Sequence, residues 1–182
     1  GSCSRGRRGG RCTADLQSGQ KHDHAVSIKT ERPKTSGDPM KRYKSSRMIR
    51  MEHLNHHGNL YAGQGIEWMI ENSFIVVNCE YGDPQGLLYK NTHKFDFYKS
   101  VNPGDIVYYE GLIVRTGRTS ITIRVGLYDE KTGALHAEGF TTFVSVDPDT
   151  GSPVPHGITL DEPADEEEIK WREEADSFFR KK

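Results

Sequence analysis

The sequence predicts an α+β fold, in which an antiparallel sheet of about five strands wraps around one long central helix and a second helix follows at the C-terminus. Three observations lead to this prediction. Apolar residues recur with the period of a helix in a stretch that begins at Ala62. Residues 87–146 show the alternation of strands, interrupted by turn residues. A helix with one apolar stripe beside a meander of strands can bury that stripe against the sheet.

A first strand is predicted over residues 45–55, where apolar and charged side chains partly alternate. The central helix follows, because from Ala62 onward the apolar side chains form a stripe about one helix face wide. The stripe consists of Ile66, Met69, Ile70, Ser73, Phe74 and Val77. The sequence YGDPQG (81–86) is rich in turn-forming residues, so the helix is predicted to end before it.

Four further strands are predicted after the helix. They span residues 87–101, 106–115, 121–129 and 135–146. In the first of these strands, alternation is expected to place four ring side chains on one side. These are Tyr89, His93, Phe95 and Phe97. Residues 161–181 are acidic at their start and basic at their end, which matches the dipole of a C-terminal helix.

Charge divides the 182 residues into three regions. Residues 1–50 hold 13 Lys and Arg against 4 Asp and Glu, residues 51–160 hold 7 against 13, and residues 161–182 hold 5 against 9. We interpret residues 1–39 as a disordered tail left by protein expression, because the chain opens with Gly-Ser and its first methionine is Met40. Residues 40–160 are the predicted folded domain and residues 161–182 an acidic helical extension. A solvated arm is favoured over a nucleic-acid-binding one, so no nucleic-acid partner is expected.

Cysteine usage and hydropathy indicate a soluble protein of a reducing, cytoplasmic compartment. The three cysteines are Cys3, Cys12 and Cys79, and no CxxC pair occurs, which argues against a disulfide framework and a zinc site. The histidines have no recognised metal-ligand spacing, so no metal is expected. No apolar run reaches the length of a membrane span, and no signal peptide is present, so no membrane partner is predicted.

The central helix begins with an unusual sequence, NHHGNLYAGQGIEW (55–68). Glycines at a helix start allow another group to approach the backbone closely. This stretch resembles the helix-entry motif of the hotdog-fold acyl-CoA thioesterases. Three more stretches are similar to motifs of that family in the same order: FYKSVNPGD (97–105), RTGRTSITI (115–123) and FTTFVSVDPDTGSPVP (140–155). The resemblance covers about residues 45–158 and implies a hotdog fold.

The resemblance also implies catalytic residues. In this family the thioester carbonyl points at the N-terminus of the central helix, where N–H groups stabilise an oxyanion, and Gly63 falls at the donor position. Asn59 is expected to hold the attacking water or the carbonyl, although it could equally cap the helix. The family's acid position falls on Ile70, which cannot act as an acid or base. Glu71 is therefore the first candidate and Glu67 the second, unless both only form the polar side of the helix.

Binding residues are implied in the same way. His57 is a candidate for lining the acyl pocket, and His93 for approaching the thioester, although a histidine beside aromatic residues is more often a buried structural side chain. The resemblance places the turn RTGRTS near the nucleotide of coenzyme A. Its candidate contacts are Arg115, Arg118, Thr119 and Ser120. Ordinary hairpin chemistry also accounts for that turn, and the sequence does not rank Lys90, Lys94 and Lys99 as further cations.

The leading functional hypothesis is an acyl-CoA thioesterase, with coenzyme A as part of the substrate and no other cofactor. The resemblance implies a homodimer or higher homo-oligomer whose sites lie between subunits. A second hypothesis is a hotdog lyase or hydratase that acts on a 3-amino- or 3-hydroxyacyl-CoA and leaves the thioester intact, because GNLYAG (58–63) is also similar to 3-aminoacyl-CoA ammonia-lyases. A third is a non-catalytic domain that binds acyl thioesters or serves assembly.

Overall fold

The computed structural model of the chain describes residues 41–180. The predicted tail over residues 1–39 lies outside the described residues. The helices and strands are β1 (Tyr43–Met48), α1 (Ala62–Tyr81), β2 (Leu87–Phe97), β3 (Ile106–Thr116), β4 (Ser120–Asp129), β5 (Leu135–Ser145) and α2 (Glu166–Ser177). Short 3-10 turns occupy Met51–His53 and Pro84–Gly86. The first strand is shorter than predicted, because the chain turns after β1 instead of staying extended.

The five strands form one antiparallel sheet in the order β1-β3-β4-β5-β2. Strands β1 and β2 are therefore its two edges within residues 41–180. Helix α1 packs on one face of the sheet, here called the inner face, and α2 packs on the other, the outer face. The predicted α+β class is confirmed, with one long helix on a five-stranded sheet and a helix near the C-terminus. Neither of these helices is long and apolar enough to cross a membrane.

Two glycines in the sheet allow α1 to lie close to the inner face. A Cβ added at Gly111 in β3 would stand 2.8 Å from Val76 Cγ2 of the helix. A Cβ at Gly139 in β5 would overlap the sulfur of Met69. Met69 and Val76 are fully buried. The predicted apolar stripe of α1 therefore packs where the sheet backbone offers no side chain.

Helix α2 is anchored on the outer face by both apolar and charged contacts. Trp171 and Ala175 are buried with Phe140 in a second hydrophobic cluster. Arg124 of β4 is fully buried there, and its Nε donates to Glu138 Oε2 at 2.9 Å. Its guanidinium also lies 3.9 Å from the centre of the Trp171 ring. A buried charge is tolerated only when it is paired and hydrogen-bonded, so these contacts fix α2 on the sheet.

The prediction that His93 shares a face of β2 with the other ring side chains is wrong. Tyr89 and Phe95 face α1, but His93 lies on the outer face, where its ring stacks on that of Phe178 at 4.8 Å between centroids. The register of β2 against β5 shifts twice here, between Tyr89 and Asn91 and between Thr92 and Lys94, which indicates two β-bulges. An extra residue in a bulge breaks strict alternation, so the pattern in the sequence could not assign the face of His93.

Candidate active site

A tight loop leads from β1 into α1, and Asn55 holds its shape. The Oδ1 of Asn55 accepts hydrogen bonds from the N–H groups of His57 at 2.9 Å and Asn59 at 3.3 Å. Gly58 has a φ of +79°, a left-handed conformation that glycine adopts without strain. The loop is fastened to the chain beyond β2 by a hydrogen bond from Leu60 N to the carbonyl of Val101 at 2.8 Å. The NHHGN sequence therefore brings the start of α1 beside the end of β2.

Helix α1 begins without a capping side chain. Its N-cap residue is Tyr61, which makes no side-chain cap hydrogen bond in the described part of the chain. The first intrahelical bond runs from Gly65 N to the carbonyl of Tyr61 at 3.1 Å. The N–H groups of Ala62, Gly63 and Gln64 consequently have no acceptor within the helix. Such N–H groups, together with the positive end of the helix dipole, favour a negative charge at this position.

A cleft of about 310 Å³ opens at this helix start. One wall is formed by Asn55, Asn59, Leu60 and Ala62, and the other by Phe97, Tyr98, Lys99, Ser100 and Val101. The predicted residue Asn59 thus lines the cleft. Gly63 does not, since the Tyr61 ring lies over it with Cζ at 2.8 Å from the position of a Cβ. The helix residue that lines the cleft is its neighbour, Ala62.

The two candidate acids lie outside this cleft. Glu71 is exposed and accepts a hydrogen bond from Arg47 Nη2 of β1 at 3.0 Å, so its carboxylate points to the β1 edge of the sheet. Glu67 is also exposed and accepts from Gln64 Nε2 at 2.8 Å. Ile70, at the family's acid position, is half-buried against the core. A single protomer therefore brings no candidate acid of α1 to the unpaired N–H groups.

The two candidate histidines lie apart from each other. His57 is exposed in the entry loop, with its ring 3.9 Å from that of His56. His93 lies across the sheet, where its Nε2 is 2.8 Å from Thr142 Oγ1. Burial, with Lys90 and Arg115 nearby, lowers the pKa of His93. Only His57 is on the same side of the sheet as the start of α1.

The turn between β3 and β4 lies at the opposite end of the sheet from the cleft. The carbonyl of Thr119 accepts from Ser145 N at 2.8 Å, and Ser145 pairs with Leu87, the first residue of β2. Helix α1 runs the length of the sheet, about 30 Å for its 20 residues. Arg118 and Ser120 share that distant turn. The predicted nucleotide contacts and the predicted oxyanion site are therefore not brought together within one protomer.

Sequence reasoning missed several lining residues. Asn55 is the first residue of the entry motif and is not among the predicted site residues, although the frequent occurrence of Asn in tight loops could indicate it. Tyr98 and Ser100 carried no pattern that distinguishes them. Among the three unranked lysines, Lys99 lines the cleft, whereas Lys94 is bound to Glu174 on the outer face at 2.8 Å.

Comparisons with protein families and with solved structures agree with the fold described above. The pattern of the family described as the thioesterase superfamily matches residues 56–135, from the entry loop to the first residue of β5. Comparison with curated protein sequences gives no match. The fold and the family match together indicate a hotdog domain. Residues 56–135 of this chain are thus similar to the thioesterase superfamily, and the predicted family resemblance is confirmed.

Solved structures show the same fold. An acyl-CoA hydrolase from Staphylococcus aureus, in complex with butyryl coenzyme A, coenzyme A and coenzyme A disulfide, is 23% identical. The match covers 78% of this chain and 87% of that one, with a TM-score of 0.68. An acyl-CoA hydrolase from Bacillus cereus is 25% identical over 75% and 82% of the two chains, with a TM-score of 0.66. An apo, hexameric acyl-CoA thioesterase is 28% identical over 76% and 88%, with a TM-score of 0.64.

Proposed function

We propose that this protein is an acyl-CoA thioesterase, which hydrolyses an acyl-CoA to the free acid and coenzyme A. The observation that carries the proposal is the uncapped start of α1, which opens beside a cleft lined by Asn55 and Asn59. The similar hydrolase of Staphylococcus aureus is described with butyryl coenzyme A, and the family match covers this part of the chain.

The chemistry follows from the N–H groups at the helix start. The thioester carbonyl lies against the N–H groups of Ala62 and Gly63, which stabilise the negative charge that develops on oxygen as water attacks. The ring of Tyr61 turns away from Gly63, which is possible because it is 56% exposed. Asn59 orients the water through its carboxamide. Lys99 lies on the opposite wall and attracts the anionic substrate.

The general base comes from α1 of a second protomer. Glu67 is the better candidate than Glu71, because the latter is held at the β1 edge by Arg47. A two-fold homodimer that joins the β2 edges would set the two α1 helices side by side and antiparallel. Strand β2 pairs only with β5 among the described strands, and its side chains Leu88 and Tyr89 are 52% and 49% exposed. That pairing would also bring the partner's β3–β4 turn toward the cleft.

A lyase or hydratase remains the second candidate, and one observation favours it. No Asp or Glu side chain lines the cleft within residues 41–180, while Ile70 occupies the family's acid position. Elimination does not need an acid placed to activate water against the thioester carbonyl. It needs a base for the proton on the adjacent carbon, whose acidity the carbonyl raises when it is held at the helix start, so Ile70 at the family's acid position is compatible with a lyase.

Thiol release from a panel of acyl-CoA substrates of increasing chain length tests the proposal. Glu67→Gln is expected to lower kcat by about 100-fold or more, because a general base contributes 100-fold to 10,000-fold. Glu71→Gln is the matched control on the same helix and should keep most of the activity. Formation of an enoyl-CoA without thiol release would support the lyase instead, and equal losses in both variants would contradict the assignment of Glu67.

A further inference from the structure

The second glycine of α1, Gly65, lies beneath the ring of Phe97. Gly65 is buried in the first turn of the helix, and a Cβ added to it would stand 2.8 Å from Phe97 Cζ. Its carbonyl accepts a hydrogen bond from the buried Tyr109 hydroxyl at 3.2 Å, which fixes this turn on the sheet. Glycine is among the poorest residues inside a helix. The close approach of Phe97 therefore accounts for glycine at this position, because helix propensity does not.

Phe97 closes the cleft where its two walls meet. It is the last residue of β2 and lines one wall, and its contact with Gly65 joins that wall to α1. The ring of Phe95 supports it edge to face, with 5.0 Å between the two centroids. These two contacts determine where the Phe97 ring lies.

Phe97 is also the large apolar side chain of the cleft that a ligand can reach. Leu60 and Val101 are 5% and 1% exposed, so they form the floor of the cleft, whereas Phe97 is 38% exposed. The other lining residues, apart from Ala62 at the helix start, carry polar groups. An acyl chain is therefore expected to run against the Phe97 ring, because that contact removes apolar surface of both from water.

The position of Phe97 along α1 limits the length of that chain. The thioester carbonyl is placed at the N–H groups of Ala62 and Gly63, and Gly65 follows Ala62 by three residues. At about 1.5 Å per residue, the ring stands about 4.5 Å beyond the helix start, a distance that a chain of about four carbons spans. A longer acyl group would have to displace the ring or turn out of the cleft into water.

We propose that Phe97 sets the upper limit of acyl-chain length, and that the substrates are short-chain acyl-CoAs of about four carbons or fewer. The choice of an acyl-CoA as the ligand rests on the proposed function. Gly65 acts through Phe97, because it lets the ring lie on the helix backbone and out of the cleft. Gly65 is therefore a positioning residue, and a side chain at this position would push the ring toward the substrate.

Thiol release from acetyl-, butyryl- and octanoyl-CoA by the full chain tests the proposal. The unsubstituted protein should have a kcat/KM for octanoyl-CoA at least about tenfold below that for butyryl-CoA, because one methylene that does not fit costs about that factor or more. Phe97→Ala should remove this difference, and Phe97→Leu should reduce it in part. Asp96→Asn is the control on the same strand, because it breaks the outer-face pair with Lys94 and leaves the cleft intact.

Gly65→Ala should change selectivity in the opposite direction. The added methyl group displaces the Phe97 ring into the cleft, so kcat/KM for butyryl-CoA should fall by about tenfold relative to acetyl-CoA. The free energy of unfolding should not fall, because alanine favours the helix. The double variant Gly65→Ala with Phe97→Ala should have the selectivity of Phe97→Ala alone, because no ring is left to displace.

Three results of these kinetics would overturn the proposal. They are additive effects of the two substitutions, an unchanged ratio of octanoyl-CoA to butyryl-CoA in both Phe97 variants, and the same change of ratio in Asp96→Asn. The last result would indicate general loosening of the end of β2.

A binding measurement separates this inference from the proposed function. S-ethyl-, S-butyl- and S-octyl-CoA are thioethers that cannot be hydrolysed, so calorimetric titration with them reports chain length without catalysis. Phe97→Ala should tighten the binding of S-octyl-CoA relative to S-ethyl-CoA by about tenfold. Absence of thiol release from every acyl-CoA would refute the thioesterase, and the titration would still decide on Phe97. An equal ratio in Phe97→Ala and the unsubstituted chain, or no binding of any of the three, would refute the role of Phe97.

Discussion

The two ends of the sheet differ in how their polar groups are paired. At the start of α1, three N–H groups lack an acceptor within the helix, and the cleft beside them is lined by side chains from two segments. At the far end, the cation of Arg115 is already bound by Asp176 and Phe179. The N–H groups that a helix start leaves open bond to water when they are exposed, and a ligand oxygen can replace that water. The start of α1 is therefore open to a ligand, whereas Arg115 already ties the end of α2 to the sheet.

The largest expected effect is on the free energy of unfolding and concerns the outer face, where the buried Arg124 is paired with Glu138. Glu138→Gln should destabilise the domain by about 3 kcal/mol, because Arg124 would keep its buried charge without a carboxylate. Urea unfolding measures the change. The double variant Arg124→Met with Glu138→Leu should recover most of the loss, and a single variant as stable as the original chain would show that this pair does not anchor α2.

The next largest effect is on kcat and concerns Asn59, beside the start of α1. Asn59→Ala should lower kcat for thioester hydrolysis by about 100-fold, a loss comparable to that of one oxyanion donor. The free energy of unfolding should change little, because Asn59 donates to Asn55 Oδ1 through its backbone N–H and not through its side chain. Steady-state kinetics and urea unfolding on the same preparation measure both. A loss of stability with normal kcat would instead show that Asn59 only stabilises the loop.

The smallest expected effect is on the pH dependence of stability. The pKa of His93 is lowered in the folded chain, so the unfolded chain takes up a proton first as pH falls. The stability contributed by neutral His93 is therefore complete well above the unfolded pKa of about 6.5 and decreases as pH falls below it. The positive neighbours Lys90 and Arg115 act in the same direction. His93→Gln should flatten the stability profile between about pH 7.5 and 5, and an unchanged slope would contradict the burial of His93 beside these two cations.

The fold could be predicted from the sequence because its signals are local and periodic. The stripe from Ile66 to Val77 belongs to one helix, and the alternation of Ile121 to Leu127 belongs to one buried strand. The face on which His93 lies could not be predicted, because a bulge depends on how two strands pair and the sequence of one strand does not determine that pairing.

The site was predicted only where it is continuous in sequence. Asn59 and the helix start were found through one motif, and they do line the cleft or lie beside it. Glu71 follows that motif on the same helix, but its direction is decided by Arg47 on β1, which is distant in sequence. The segment that carries Lys99 and Ser100 is held at the cleft by hydrogen bonds from Leu60 N to Val101 O and from Tyr98 N and Lys99 N to the carbonyl of His136. Contacts of this kind follow from the tertiary fold and leave no pattern along the chain.

Replacement of Ala62 by proline tests the central claim most directly. Ala62 is the first residue of α1, where proline is accommodated without loss of a helical hydrogen bond, and Tyr61 before it has the extended φ and ψ of −65° and 127° that a following proline requires. The substitution deletes one N–H at the cleft and leaves the helix intact. Thiol release in a single turnover should slow by about 100-fold to 1,000-fold at unchanged stability. Release at the original rate would contradict the assignment of this helix start as the acyl site.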